Sequence, residues 1–368
     1  MSRGQPGVVG DDRAEALLRG MLGIPSASYH EQRLAAFLAD ELRDLGFDSE
    51  VDAAGNVVGR VDRGEGPEVM LLGHIDTIPG DLPVVARDGR LYGRGAVDAK
   101  GPFATMVCAA ARAVDFRGRL VVVGAVEEET PESRGATHVR RTHGQPDALV
   151  IGEPSGWSSI VLGYKGKLDL SYRVEVPATH PSNPEPKASE LVVSAWNALL
   201  ELLGPDAGHG SFDRPGATLT TITGELTTAS AEFSVRTPPG FDREGLVARL
   251  RDRLTAGVLD VVNSVGAVRV GRNDPVVRAL SGAIRAEGAV PSPKVKTATS
   301  DMNTLAETWA VPMATYGPGD SALDHSDDEH LALDDYFRGI RVLTAALTDL
   351  GRTAPAARTT ATARRDHS

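Results

Sequence analysis

The sequence is poor in cysteine: one thiol, Cys108, stands among 368 residues. A single cysteine excludes an internal disulfide framework and a thiolate zinc cluster within one chain. Its setting, the small apolar run ATMVCAAARAV, predicts a buried helix position rather than a nucleophile. Long hydrophobic runs are missing too. The opening MSRGQPGVVGDDRAE has no apolar signal region, and no later stretch is long enough to span a bilayer. No membrane partner is therefore expected, and the default location is cytoplasmic. Positive charge is in deficit, with 39 Lys and Arg against 50 Asp and Glu and a formal net charge of −11. That balance argues against a nucleic-acid partner.

What is present reads as a soluble globular protein, 41% hydrophobic and 24% charged. The length favours two domains over one core. Residues 11 to 46 carry apolar positions at helical spacing in DDRAEALLRGMLG and EQRLAAFLADELRDLG. Short apolar runs then alternate with helical ones, and continuous runs such as Leu120 to Val123 suit strands covered on both faces. After GYKG the pattern changes to β-α-β-β-α-β, the order of a split βαβ sandwich. Its strands are expected in KLDLSYRVEVPA, ATLTTITGEL, AEFSVRTPPG and AVRVG. The expected organisation is an α/β domain over 1–164 and 272–351, with a second domain inserted at 165–271. The tail 352–368 is short of large apolar residues and is expected to be disordered.

The chemistry collects at strand ends. In VMLLGHIDTIPGD, His74 and Asp76 lie two positions apart, on one face of a strand. Alone, such a pair is simply a hydrogen bond at a strand terminus. Other ligand-type residues arrive in similar places, however. Asp98 sits in the glycine-rich turn LYGRGAVDAKGP, Glu127, Glu128 and Glu129 end the strand VVVGAV, Glu153 ends ALVIG, and His325 lies in SALDHSDDEH. Functional groups in open α/β sheets gather beyond the carboxyl ends of strands. Imidazoles and carboxylates in this number suit a pair of divalent metal ions. The dinucleotide-like GRGAVD lacks the third glycine and does not open a βαβ unit, so it carries little weight.

Together GHIDTIPG, GRGAVDAKGP, VEEETPESRGA, IGEPSGW and DHSDDEH resemble the metal-site motifs of the M20 family of di-zinc amidohydrolases and peptidases. That family includes acetylornithine deacetylase and succinyl-diaminopimelate desuccinylase, and the resemblance runs from about residue 12 to 350. It implies a zinc-peptidase-like α/β/α catalytic domain with an inserted ferredoxin-like lid that makes a homodimer. It also implies two Zn²⁺, replaceable by Co²⁺. His74 and Glu153 would hold one ion, Glu128 and His325 the other, and Asp98 would bridge them. Asp76 would orient His74, and Glu127 would be the general base. Glu129 receives no role. His180, in VPATHPSNPE, occupies the position of a lid histidine that stabilises the oxyanion from the partner subunit. Arg236 stands where relatives grip a substrate carboxylate, although Ser234 replaces the Asp that many of them carry two residues earlier.

The segments IGEPSGWSSIVLGYKGKL, TATSDMN and YGPGDSALDH look most like the lysine-biosynthesis hydrolases of this family. Those enzymes release lysine or ornithine from a small acidic amino-group carrier protein, to which the amino acid is joined through the γ-carboxylate of a C-terminal glutamate. On this reading Asp301, Asp320 and Asp324 are candidates for the cationic side chain, and Ser300 and Asn303 for the substrate backbone. Lys165, Lys167, Lys294 and Lys296 would form a basic patch for the carrier. The enzymatic alternative is deacetylation of free N-acetyl-ornithine or N-acetyl-lysine. A non-catalytic relative is the alternative of another class.

Overall fold

The computed structural model describes residues 9–353. A nine-stranded mixed sheet forms its centre, with four parallel strands at the middle: Arg119–Ala125, Glu68–His74, Ala148–Gly152 and Met313–Thr315. These are the apolar runs of the sequence, and each is buried along nearly its whole length. Alternate residues serve two cores. Leu71, Leu120, Val122 and Val150 face one layer, with the helices Asp11–Leu22, Gln32–Asp44, Lys100–Arg112, Pro275–Ala286 and Leu333–Thr353. Met70, Leu72, Val121, Val123, Leu149 and Ile151 face the other, with Arg134–Thr142 and Asp301–Ala306. The result is an α/β/α sandwich, and Cys108 is buried in its first layer.

Register explains why the strand ends form one site. His74 is level with Ala125, and Gly73 with both Gly124 and Gly152, so three strands stop along one edge. The row of glycines lets the helix Lys100–Arg112 press against the sheet. A Cβ on Gly124 would lie 2.9 Å from the Phe103 ring and 2.7 Å from Ile75, and one on Gly152 would lie 2.8 Å from the Met106 sulfur. The helix start, and with it Asp98, is thereby held close to the strand ends.

The inserted segment forms its own four-stranded antiparallel sheet in the order Gly216–Gly224, Thr228–Thr237, Gly166–Glu175, Val258–Val265. The helices Ala188–Leu203 and Arg243–Arg253 share its apolar core. The expected last strand needs correction. AVRVG contributes only Val268–Arg269, which pairs with Ser159–Tyr164 in the main sheet. The fourth strand of the insert is instead VLDVVNSV, whose largely exposed side chains give no clean alternation. Of the expected disordered tail, Arg352 and Thr353 close the last helix, and the remainder lies outside the described residues. Among the described residues no helix is long and apolar enough to cross a membrane.

Candidate metal centre

His74 is the last residue of its strand and is buried. Its Nδ1 lies 3.0 Å from the backbone oxygen of Asp76 and 3.4 Å from the Asp76 carboxylate, so the backbone oxygen is the closer orienting group. Its Nε2 faces Asp98 Oδ1 at 3.1 Å and Glu153 Oε1 at 3.7 Å. The other Asp98 oxygen, Oδ2, lies 3.1 Å from His325 Nε2, which is 2.9 Å from Glu129 Oε1. Asp98 thus offers one oxygen to each of two groups. One contains His74 and Glu153, and the other contains His325 and Glu129.

The glutamate triplet departs from expectation. The sequence reading gave Glu127 the water and Glu128 the second ion. In the structure the chain leaves the strand after Ala125, and Glu127 takes a left-handed backbone with φ of 59°. Its carboxylate turns to Arg134, with Oε1 at 2.6 Å from Nη2 and 2.7 Å from Nε. The next two residues face the centre. Glu128 gathers with His74 and Glu153, and Glu129 with His74 and Asp98. The pair at the centre is therefore displaced by one residue, to Glu128 and Glu129.

Three buried acids that hold no ligand position shape this arrangement. Asp76 accepts the N–H groups of Glu128 at 3.0 Å and Glu129 at 3.1 Å, and the Ser28 hydroxyl at 2.8 Å. Glu31 accepts the Glu127 N–H at 3.2 Å. Glu329 accepts from the backbones of Gly95, Val97 and Asp98 and pairs with Arg94 at 2.9 Å. Glu31 and Glu329 were missed in the sequence, where a lone acid in a loop reads as solvated. The ammonium of Lys100 is buried as well and donates to the carbonyls of Met21 and Ile24. Burial pushes its pKa down to about 8.

The charge balance fits a cation-binding centre. Burial, together with the charges of Glu153, Asp301 and Glu129, raises the pKa of Glu128. Burial also raises Glu153, to about 8, with Asp98 adding to the shift. Hydrogen bonding to Asp98 raises His325 to about 9. His74 is raised as well, because hydrogen bonds to Asp76 and Asp98 outweigh its burial. Asp98 moves down, because the two imidazoles outweigh its burial. Two carboxylates and two histidines all shifted upward indicate crowded negative charge, which divalent cations would neutralise. The donors, two imidazoles and carboxylates with no thiolate, suit zinc or cobalt.

The centre opens into a cavity of about 930 Å³ lined by both parts of the chain. From the insert come Lys167, Arg236 and residues 262–265; from the main domain come Ser300, Asp324 and Lys296. Arg236 donates to Thr299 Oγ1 at 2.6 Å, which also ties the insert to the sandwich.

Other expected contacts are spent elsewhere. Asn303 accepts from Ser300 N and donates to the carbonyls of Lys165 and Gly266, so both amide hydrogens are spent within the protein. Asp320 is exposed and accepts from Ala322 N, capping a short turn outside the cavity lining. Ser300 lines the cavity but accepts from Met302 N as a helix cap. Asp301 is buried behind the centre with neither carboxylate oxygen hydrogen-bonded. Lys165 is buried too and donates to the Arg214 carbonyl, so it belongs to no surface patch. His180 lies on an exposed loop, its Nδ1 2.7 Å from Ser182 Oγ, and is not among the cavity-lining residues.

Known proteins resemble this chain over most of its length. Residues 70–349 match the model of peptidase family M20/M25/M40. A LysW-lysine hydrolase of Deinococcus radiodurans is 43% identical over 354 residues, covering 92% of this chain and 97% of that protein. A LysW-lysine/LysW-ornithine hydrolase of Saccharolobus islandicus is 30% identical over 346 residues, covering 92% of this chain and 96% of that protein. Among solved structures, an M20 family metallo-carboxypeptidase from Sulfolobus solfataricus superposes with a TM-score of 0.79 at 17% identity, covering 93% of this chain and all of that one. The fold and the match across most of its length agree: the chain belongs to peptidase family M20/M25/M40.

Proposed function

We propose that this protein hydrolyses the amide joining lysine or ornithine to the γ-carboxylate of the C-terminal glutamate of a small acidic amino-group carrier protein. The observation that carries this reading is the 43% identity to a LysW-lysine hydrolase across nearly the full length of both chains. The cavity supports it, with an acidic floor at the centre and Arg236 and Lys296 in its wall.

In this reading His74, Glu153 and Asp98 would hold one divalent ion, and His325, Glu129 and Asp98 would hold a second. Such a pair, when bound, polarises an amide carbonyl and acidifies water. Glu128, the carboxylate left over beside His74 and Glu153, is the general base. It takes the proton of the attacking water and passes it to the nitrogen of the departing amino acid. Burial and neighbouring acids raise its pKa, and cations beside it would draw it back toward a working base. Glu127 serves the turn: its bond to Arg134 keeps its own carboxylate away and aims the next two residues inward. His180 reaches the oxyanion from a second copy of the chain, in a homodimer formed through the insert.

The test compares substrates on zinc-loaded enzyme: a carrier domain ending in γ-glutamyl-lysine, and free N-acetyl-lysine or N-acetyl-ornithine. The expected result is a kcat/KM at least about a hundredfold higher on the carrier, the worth of several added contacts. Faster hydrolysis of the acetyl compounds would overturn the carrier reading and make the protein an ordinary deacetylase.

A further inference from the structure

The chain passes twice between the sandwich and the insert. It leaves at Lys165, between the strands Ser159–Tyr164 and Gly166–Glu175, and returns at Gly266 and Ala267, between Val258–Val265 and Val268–Arg269. One side chain holds both crossings. Asn303 is buried, and its amide nitrogen donates to the Lys165 carbonyl at 3.0 Å and to the Gly266 carbonyl at 2.8 Å. Its oxygen accepts the Ser300 N–H at 3.0 Å, so three bonds fix the plane of the amide. Asn303 stands on the helix Asp301–Ala306, and Met302 and Leu305 of that helix are buried in the second core of the sandwich. The clamp is therefore anchored in the sandwich and grips the insert where it begins and where it ends.

Register carries this grip to the cavity. Arg236 is level with Lys167 on the neighbouring strand, and Lys167 is level with Val265 on the next. That row of three lies immediately beyond the two gripped carbonyls. The strands nest closely there: a Cβ on Gly166 would lie 2.5 Å from Thr237 Oγ1 and 2.6 Å from the Val265 carbonyl oxygen. Arg236 lines the cavity and donates to Thr299 Oγ1, on the segment that leads into Asn303. Arg236 belongs to the insert, whereas His74, Asp98, Glu128, Glu129, Glu153 and His325 all belong to the sandwich. The two crossings are what set the distance between them.

We infer that Asn303 is a positioning residue: by clamping both crossings to the sandwich it places Arg236 relative to the metal centre, and through Arg236 it governs the binding of a substrate carboxylate. The inference rests on the function proposed above, with Arg236 as the cation that meets that carboxylate. Such a contact is sensitive to place, since a shift of about 1 Å far from the chemistry can cost 10²-fold.

The experiment is a double-mutant cycle on zinc-loaded full-length protein, with a carrier domain ending in γ-glutamyl-lysine as substrate. Its four members are wild type, Asn303→Leu, Arg236→Met and the double variant. Asn303→Leu should raise KM about tenfold in the wild-type background, as for the loss of one good hydrogen bond. Where Arg236 is already Met, the same change should raise KM by no more than about twofold. In both backgrounds kcat should change less than KM. Loosened packing alone would cost the same in either background, because it does not act through Arg236. Equal fold-changes would therefore overturn the inference, and so would an Arg236→Met variant whose KM matches wild type. If the leucine variant does not fold, Asn303→Ser takes its place in the cycle with the same expectations. Wild-type enzyme that cleaves N-acetyl-lysine but not the carrier would overturn the carrier reading alone. N-acetyl-lysine also bears a carboxylate, so the cycle run on it still decides the role of Asn303.

Discussion

The Asp76 carboxylate accepts the backbone N–H of Glu128 at 3.0 Å, and its second oxygen accepts that of Glu129 at 3.1 Å. One buried acid thus sets the direction of two others, in the turn beyond the neighbouring strand, and lies 3.4 Å from a ring nitrogen of His74 as well. A residue that looks in sequence like a partner of the histidine alone is a fastening for the whole catalytic turn.

Replacing Asp76 by Ala should therefore affect both ion positions. Apparent zinc affinity is expected to fall by about 10–100-fold, the usual cost of removing a group that orients ligands. Competition with a chromophoric chelator measures it. Affinity within twofold of wild type would show that the turn holds itself.

How far the sequence revealed this site depends on which physical signal each residue left. His74 and Glu153 were legible because apolar runs announce strands, and strand ends in parallel sheets converge; Asp98 and His325 lie in turns and stood out by residue type alone. The glutamate triplet was legible only as a group. Periodicity locates the end of the strand at Ala125, but the left-handed turn at Glu127 leaves no trace in hydrophobicity, and a one-residue slip changes which two carboxylates face the centre. Asn303 and Asp320 were misread for another reason: short polar side chains in Ser- and Gly-rich segments are as apt to cap their own backbone as to meet a substrate. The last strand of the insert was missed because its exposed valines blur the alternation that marked its neighbours.

Glu329 offers a stability test. Its carboxylate pairs with buried Arg94 and receives three backbone N–H groups from residues 95–98. Glu329→Ala strands all of these and should cost about 3–5 kcal/mol, as expected for breaking a buried pair. Guanidinium unfolding of metal-loaded protein reads the loss. A cost below about 1 kcal/mol, the worth of an exposed pair, would contradict the arrangement.

Without metal, the acidic centre should make the fold pH-sensitive in a defined direction. Glu153 titrates at about 8 in the folded chain against an ordinary 4.5, chiefly from burial. The folded state then keeps a proton that the unfolded state has lost. Stability from this group is whole below about 4.5 and declines as pH rises toward about 8. In EDTA, Glu153→Gln should accordingly raise Tm relative to wild type, and by more at pH 8 than at pH 5. Zinc should reverse the order. A variant less stable than wild type at pH 8 in EDTA would contradict the charge balance.

The proposed shared site predicts complementation. His180→Ala and Glu128→Gln homodimers should each be nearly inactive. Random exchange of equal amounts should restore about a quarter of wild-type activity, since half of the dimers are mixed and each has one intact site. Activity that stays at the level of the separate variants would exclude a histidine supplied from the partner.

Three single substitutions in adjacent positions test the centre most directly: Glu127→Gln, Glu128→Gln and Glu129→Gln, each assayed for bound zinc and for kcat on the same substrate. Glu128→Gln is expected to keep both ions while kcat falls by about 10²–10⁴, the span of general-base catalysis. Glu129→Gln should lose one ion, and Glu127→Gln should keep both ions with a smaller loss of rate. If Glu127→Gln alone abolishes turnover with both ions in place, the base lies one residue earlier, and the geometry of the turn described here is contradicted.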